Sequence, residues 1–141
     1  MKKIRILTSL LLVFVLCLSF ISCGNRVTKD DAKQTTEDFL SAIALGDYES
    51  AKTYLHPEKP LDIEKYITTK EERTGVDFQK GIEITRYTST SSSVYDSEVD
   101  GSDYELEANI IVDGVALELD IEIVRNDLGY GIYSFEIDSN D

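Results

Sequence analysis

From residue 101 onward, apolar and polar residues alternate with a period of two. Tyr104, Leu106, Ala108, Ile110 and Val112 interleave with Glu105, Glu107, Asn109 and Ile111. Beyond Asp113-Gly114, Val115, Leu117, Leu119, Ile121 and Ile123 interleave with Ala116, Glu118, Asp120, Glu122 and Val124. Successive side chains of a strand point to opposite faces, so the pattern predicts two strands, each with an apolar face and a mostly charged one. Asp-Gly between them favours a tight two-residue hairpin. Asn126 to Gly129 predicts another turn, Tyr130 to Asp138 a last strand, and Ile82 to Tyr87 the beginning of a first. The run Thr88 to Ser93 (TSTSSS) fits either a flexible loop or an exposed edge strand.

Before Gly75 the period lengthens. Thr28-Lys29-Asp30-Asp31 reads as a helix start with acidic residues in its first turn. Ala32, Thr36, Phe39, Leu40 and Ile43 then mark one helical face, and Gly46 is a natural terminator. Asp47 opens a second, short helix carrying Tyr48, Ala51, Tyr54 and Leu55 on one side, which Pro57 is expected to stop at His56. Asp62 opens a third, with Ile63, Tyr66 and Ile67 inward and Gly75 at its end. One-faced strands need cover, and the helices can supply it. The expected fold is α+β, with N-terminal helices on one face of a curved antiparallel sheet.

The N-terminus follows a different rule. Met1 to Arg5 is basic, Leu10 to Leu18 is almost wholly apolar, and the run ends in small residues at Cys23-Gly24. That order marks a secretory signal, and the run is too short for a bilayer span of about 20 residues. Phe20-Ile21-Ser22-Cys23 resembles a bacterial lipobox. The resemblance implies cleavage before Cys23, a diacylglyceryl group on its sulfur, and added acyl chains that hold it stably on the cell membrane or outer membrane, facing outward. The expected organisation is 1–22 signal, 23–29 lipidated cysteine and tether, and 30–141 one domain. With Cys17 removed in the signal, no disulfide is possible within the mature domain.

The segment FLSAIALGDYESAKTYLHPE (Phe39 to Glu58) and the C-terminal EIVRNDLGYGIYSFEID (Glu122 to Asp138) resemble small bacterial lipoproteins of the nuclear-transport-factor-2-like group. The resemblance implies that fold over residues 30 to 138. It leaves function open, because the fold hosts isomerases, dehydratases, adaptors and domains with no assigned activity.

Charge narrows the partners. The chain has 14 basic and 27 acidic residues; loss of Lys2, Lys3 and Arg5 with the signal leaves a mature charge of −16. Such a surface repels phosphates, which excludes nucleic acid and keeps the domain off anionic headgroups. Glu105, Glu107, Glu118, Asp120 and Glu122 fall on the polar strand face, where like charges oppose self-association, so a monomer is expected.

Candidate chemistry is sparse. Asp96 to Glu107 (DSEVDGSDYELE) nearly fits a twelve-residue calcium loop, with Asp96, Glu98, Asp100 and Glu107 as ligands and Gly101 at the turn. Its flanks read as loop and strand and not as helices, which favours a plain strand–turn–strand connection. His56 is the sole histidine, so no histidine-based triad or multi-histidine metal site can form. Tyr48, Tyr54, Tyr66, Tyr87 and Tyr133 are candidates to line a pocket under the helices, but no carboxylate base stands at an inward strand position. The expected function is non-catalytic binding of a small ligand or envelope protein, without a cofactor. The alternatives are a pocket enzyme of the isomerase or hydrolase kind and a calcium-dependent module.

Overall fold

The structure, a computed structural model, describes residues 26–139. Cys23 and the expected signal over residues 1–22 lie outside them. The elements are α1 (Lys29–Ala44), α2 (Tyr48–Lys52), α3 (Ile63–Thr74), a 3-10 turn (Phe78–Lys80), β1 (Ile82–Asp96), β2 (Gly101–Val112), β3 (Val115–Asn126) and β4 (Gly129–Ser139). The strands form one open antiparallel sheet in the order β1-β2-β3-β4. The class is α+β. Among the described residues, no helix is long and apolar enough to cross a membrane.

Side-chain caps set the helix starts. The hydroxyl of Thr28 accepts the Asp31 N–H, and carboxylates of Asp47 and Asp62 accept the N–H groups of Ser50 and Lys65. At the end of α1 the Gly46 N–H reaches the Ile43 carbonyl and the Asp47 N–H the Ala42 carbonyl, with Gly46 at φ +70°. That paired closure needs a left-handed residue, which glycine supplies without a Cβ clash. Helix α2 ends at Lys52, four residues before the expected stop at His56. The cause is non-local: Leu55 forms a parallel bridge with Ile132 of β4, and the Tyr54 carbonyl and His56 N–H both pair with Ile132. The fold also starts earlier than the expected boundary at residue 30. Val27 is buried, and its N–H donates to the Ser102 hydroxyl at 2.9 Å.

The serine and threonine run is strand. β1 continues through it to Asp96 as a sheet edge, with register shifts near Thr85 and Thr88. Asp113 and Gly114 turn the β2–β3 hairpin with φ +51° and +77°, the left-handed pair of a type I′ turn.

One hydrophobic cluster joins helices and sheet. It includes Phe39, Ile43, Ile63 and Ile67 with Leu106, Ile110, Leu119 and Ile123. Phe135 meets the rings of Phe39 and Tyr66 edge to face, with centroids 4.9 and 4.6 Å away. The Tyr66 hydroxyl accepts the Ile137 N–H. Lys70 of α3 is buried but places its ammonium 3.3 Å from Glu136 and 3.0 Å from Asp138. Burial works against that charge, but the hydrogen bonds to Asp138 and Glu136 and the nearby Tyr66 outweigh it and hold its pKa above the ordinary lysine value.

A polar knot closes the other end of β4. His56 is buried, and its Nδ1 accepts the Glu58 N–H, which makes Nε2 the protonated nitrogen of the neutral ring. Nε2 then donates to Asn126 Oδ1 at 3.1 Å. The same oxygen accepts the N–H groups of Leu128 and Gly129, and Asn126 Nδ2 donates to Glu58 Oε2 and the Val99 carbonyl. His56 is thus structural.

Removing the knot's centre leaves buried groups unpaired. Asn126→Ala is expected to lower stability by about 2–3 kcal/mol, measured by urea unfolding. Gly131→Ala is expected to cost at least about 2 kcal/mol, because a Cβ there would meet the backbone of Tyr54, Leu55 and His56 at 2.7 Å. Unchanged midpoints would show that the Leu55–Ile132 junction yields freely.

Candidate functional site

The polar sheet face gathers its charge through strand register. Glu105 lies opposite Glu122, Glu107 opposite Asp120, and Asn109 opposite Glu118. On the next strand Ser134, Glu136 and Asp138 face Glu122, Asp120 and Glu118. On the other side Ser93, Ser91 and Ser89 of β1 face Asp103, Glu105 and Glu107. The result is an acidic field across β2, β3 and β4 with a serine border. Its middle is a groove of about 380 Å³ lined by Glu105, Glu107, Asp120, Glu122, Ser134 and Glu136.

The five strand carboxylates expected on the polar face all lie there. Sequence reading missed Asp103, Glu136 and Asp138, although each continues the period-two pattern of its strand. At the Asp103 end the field is tightest. Carboxylate oxygens of Asp103, Glu105 and Glu122 lie within 4.8 Å of one another. Asp103 is buried and Glu122 half-buried. Burial raises the Asp103 carboxyl pKa and the charge of Asp96 adds to it, while hydrogen bonds from its own backbone N–H and the Ser93 hydroxyl oppose it. Burial likewise raises Glu122; the charges of Glu105, Asp103 and Asp96 reinforce this, and a hydrogen bond from Ser134 opposes it.

The proposed calcium loop does not assemble. Asp96 ends β1, Glu98 and Asp100 sit in the connection, and Glu107 stands mid-strand opposite Asp120. Asp96 Oδ1 accepts the Glu98 N–H, and Asp100 accepts the Tyr95 hydroxyl. These are local turn contacts, and among the described residues this quartet gathers no ligand set.

The tyrosines also separate. Tyr48, Tyr54, Tyr66 and Tyr87 pack against the core without enclosing a common pocket; Phe39, Phe78, Ile63 and Ile67 fill the space beneath the helices. Tyr87 donates to Glu37 at 3.3 Å, and its burial, with that carboxylate beside it, pushes its pKa up to about 12. Tyr133 does not face the core as expected. It occupies the register shift of β4, with its ring 5.5 Å from that of His56 and under the Lys59 ammonium. Tyr133 and Tyr66 do meet along a second, apolar groove of about 290 Å³ at the β4 edge, with Leu55, Pro60, Leu61 and Phe135.

No protein-family model, curated protein or solved structure matches this chain.

The raised carboxyls set the sign of a pH effect. The unfolded chain ionises Asp103 and Glu122 at lower pH than the fold does, so their contribution favours folding in acid and is lost as pH rises through the raised values. Asp103→Asn with Glu122→Gln is therefore expected to raise Tm at pH 7 by roughly 3–6 °C in chelator-containing buffer. The gain should vanish as pH falls below the ordinary carboxylate range. A gain that persists at pH 3, or a loss at pH 7, would contradict the repulsion described above.

Proposed function

We propose that this chain is a bacterial lipoprotein, acylated on Cys23 at the cell membrane or outer membrane and facing outward. Its domain is nuclear-transport-factor-2-like, with helices over one face of a curved sheet, and it binds a cationic envelope partner non-catalytically through the acidic outer face. The lipobox-like Phe20 to Cys23 supports the anchor. Helices followed by a four-stranded meander, with the Gly46-Asp47 helix break and the Asn126 to Gly129 hairpin, support the fold assignment.

The observation that carries the binding reading is the charge field on β2, β3 and β4, set on the back of a filled core. Complementary charge supplies orientation and fast association at a surface of this kind. An enzyme would need a carboxylate aimed into an enclosed pocket. Among the described residues the buried carboxylate is Asp103, on the outer face. The Tyr66–Tyr133 groove favours a second reading, a small apolar ligand at the β4 edge.

Two measurements test the proposal. Fatty-acid labelling in the host should tag the chain, and Cys23→Ala should abolish both the label and membrane retention; label surviving that change ends the lipoprotein reading. A fluorescent oligolysine should bind the detergent-solubilised chain with strong salt dependence. Glu107→Gln, Glu118→Gln and Asp120→Asn together should weaken it about tenfold, equivalent to about 1.4 kcal/mol. Equal loss on neutralising Glu37, Glu49 and Glu64 of the helices would reduce the effect to net charge.

A further inference from the structure

Three mutually repelling carboxylates are held together at the start of β2. Glu105 and Glu122 are direct cross-strand partners, and Asp103 precedes Glu105 by one pleat. Their oxygens lie within 4.8 Å of one another. Oxygens bound to one calcium ion at about 2.4 Å can be no further apart than about 4.8 Å, so the spacing fits a single coordination sphere.

A second observation does not depend on clustering. Asp103 is only 7% exposed, and its Oδ1 has no hydrogen-bond partner among the described residues. A buried acceptor left without a donor carries an uncompensated desolvation cost, larger when it is charged. Nor does any lysine or arginine among the described residues pair with Asp103, Glu105 or Glu122. A cation held among the three carboxylates would compensate the buried charge of Asp103 and cancel the repulsion in one step.

The donors set the class of ion. All three are carboxylates; the Ser134 hydroxyl is bonded to Glu122, Ser93 stands opposite Asp103, and the further charge acting on the cluster is the Asp96 carboxylate. Neither a thiolate nor an imidazole belongs to the cluster. Oxygen-only sets suit hard ions and disfavour soft ones. Paired strands fix the Cα positions, while the more exposed Glu105 leaves an open side for water.

We propose that Asp103, Glu105 and Glu122 bind one hard divalent cation of the calcium class on the outer face of the sheet. The site is distinct from the Asp96–Glu107 loop pattern. It stands on these three residues alone and does not require a lipid anchor or a cationic partner.

The test uses the full chain in detergent, stripped with chelator, and Ca²⁺ alone as probe, with Mg²⁺ in a parallel series. Calorimetry should show one ion per chain, with Kd in the roughly 10⁻⁴–10⁻³ M range of extracellular calcium modules, and Tm should rise with added ion. Asp103→Asn and Glu122→Gln should each weaken binding by about tenfold or more and remove the Tm response. Both relieve repulsion, so the variants should stay folded, which circular dichroism verifies. Glu118→Gln, further along the same face, should bind as the parent does. Mg²⁺ binding lost in the same two variants also supports the site. Absence of binding by both ions at ten times that Kd range overturns it. So does binding that survives the double variant, because the ion would then sit elsewhere.

Discussion

The pleat of β2 and β3 is the constraint from which the other features follow. A strand residue has two faces to choose from, and Leu106, Ala108, Ile110, Leu117, Leu119 and Ile123 take one of them with nearly complete burial. Every carboxylate on those strands is thereby sent to the other. Because both strands obey the same alternation in register, their charges meet as pairs of like sign. Such pairs weaken a sheet. The offsetting term is the apolar face: fully burying one Leu or Ile side chain contributes about 1.5–3 kcal/mol. The acidic field is thus a surface that the core stabilises against its own repulsion.

The helical half and the sheet are joined at two unlike places. Near the α1 and α3 contacts the join is apolar, with Phe135 between Phe39 and Tyr66. At the β3–β4 turn it is polar and only partly buried, and Asn126 serves the turn, the buried His56 ring, the Glu58 carboxylate and the Val99 carbonyl at once. A half-buried amide with every bond made fixes geometry in a way that apolar contact does not. Gly131 adds to this, since only a residue without a side chain lets the Leu55 segment lie against β4.

Much of the fold was legible because it is local. Period-two alternation located β2 and β3, Asp113-Gly114 located their turn, and Thr28, Asp47, Asp62 and Gly75 marked helix ends. What escaped was set by distant partners. Helix α2 stops at Lys52 because Leu55 pairs with Ile132, a contact no local pattern announces. The serine and threonine run is ambiguous alone and becomes a strand through its pairing with residues 103–107. The five carboxylates of the acidic face were readable, but the convergence of Asp103 with Glu105 and Glu122 depends on cross-strand register. His56 and Asn126 looked like a helix end and a turn residue; their bond spans 70 positions.

The Val27–Ser102 hydrogen bond sets an orientation. It pins the chain's entry to the second residue of β2, beside Asp103. With lipid on Cys23, only four peptide units separate the anchor from that pin, a leash of about 14 Å at full extension. On the proposed acylation of Cys23, the end of the sheet carrying Asp103 would be held within that distance of the bilayer surface. The opposite end, where Asp113 and Gly114 turn, lies the length of β2 away, about 36 Å along the strand. The molecule would stand on one end of its sheet, with the three clustered carboxylates in the ion-rich layer next to the headgroups and the hairpin tip reaching outward.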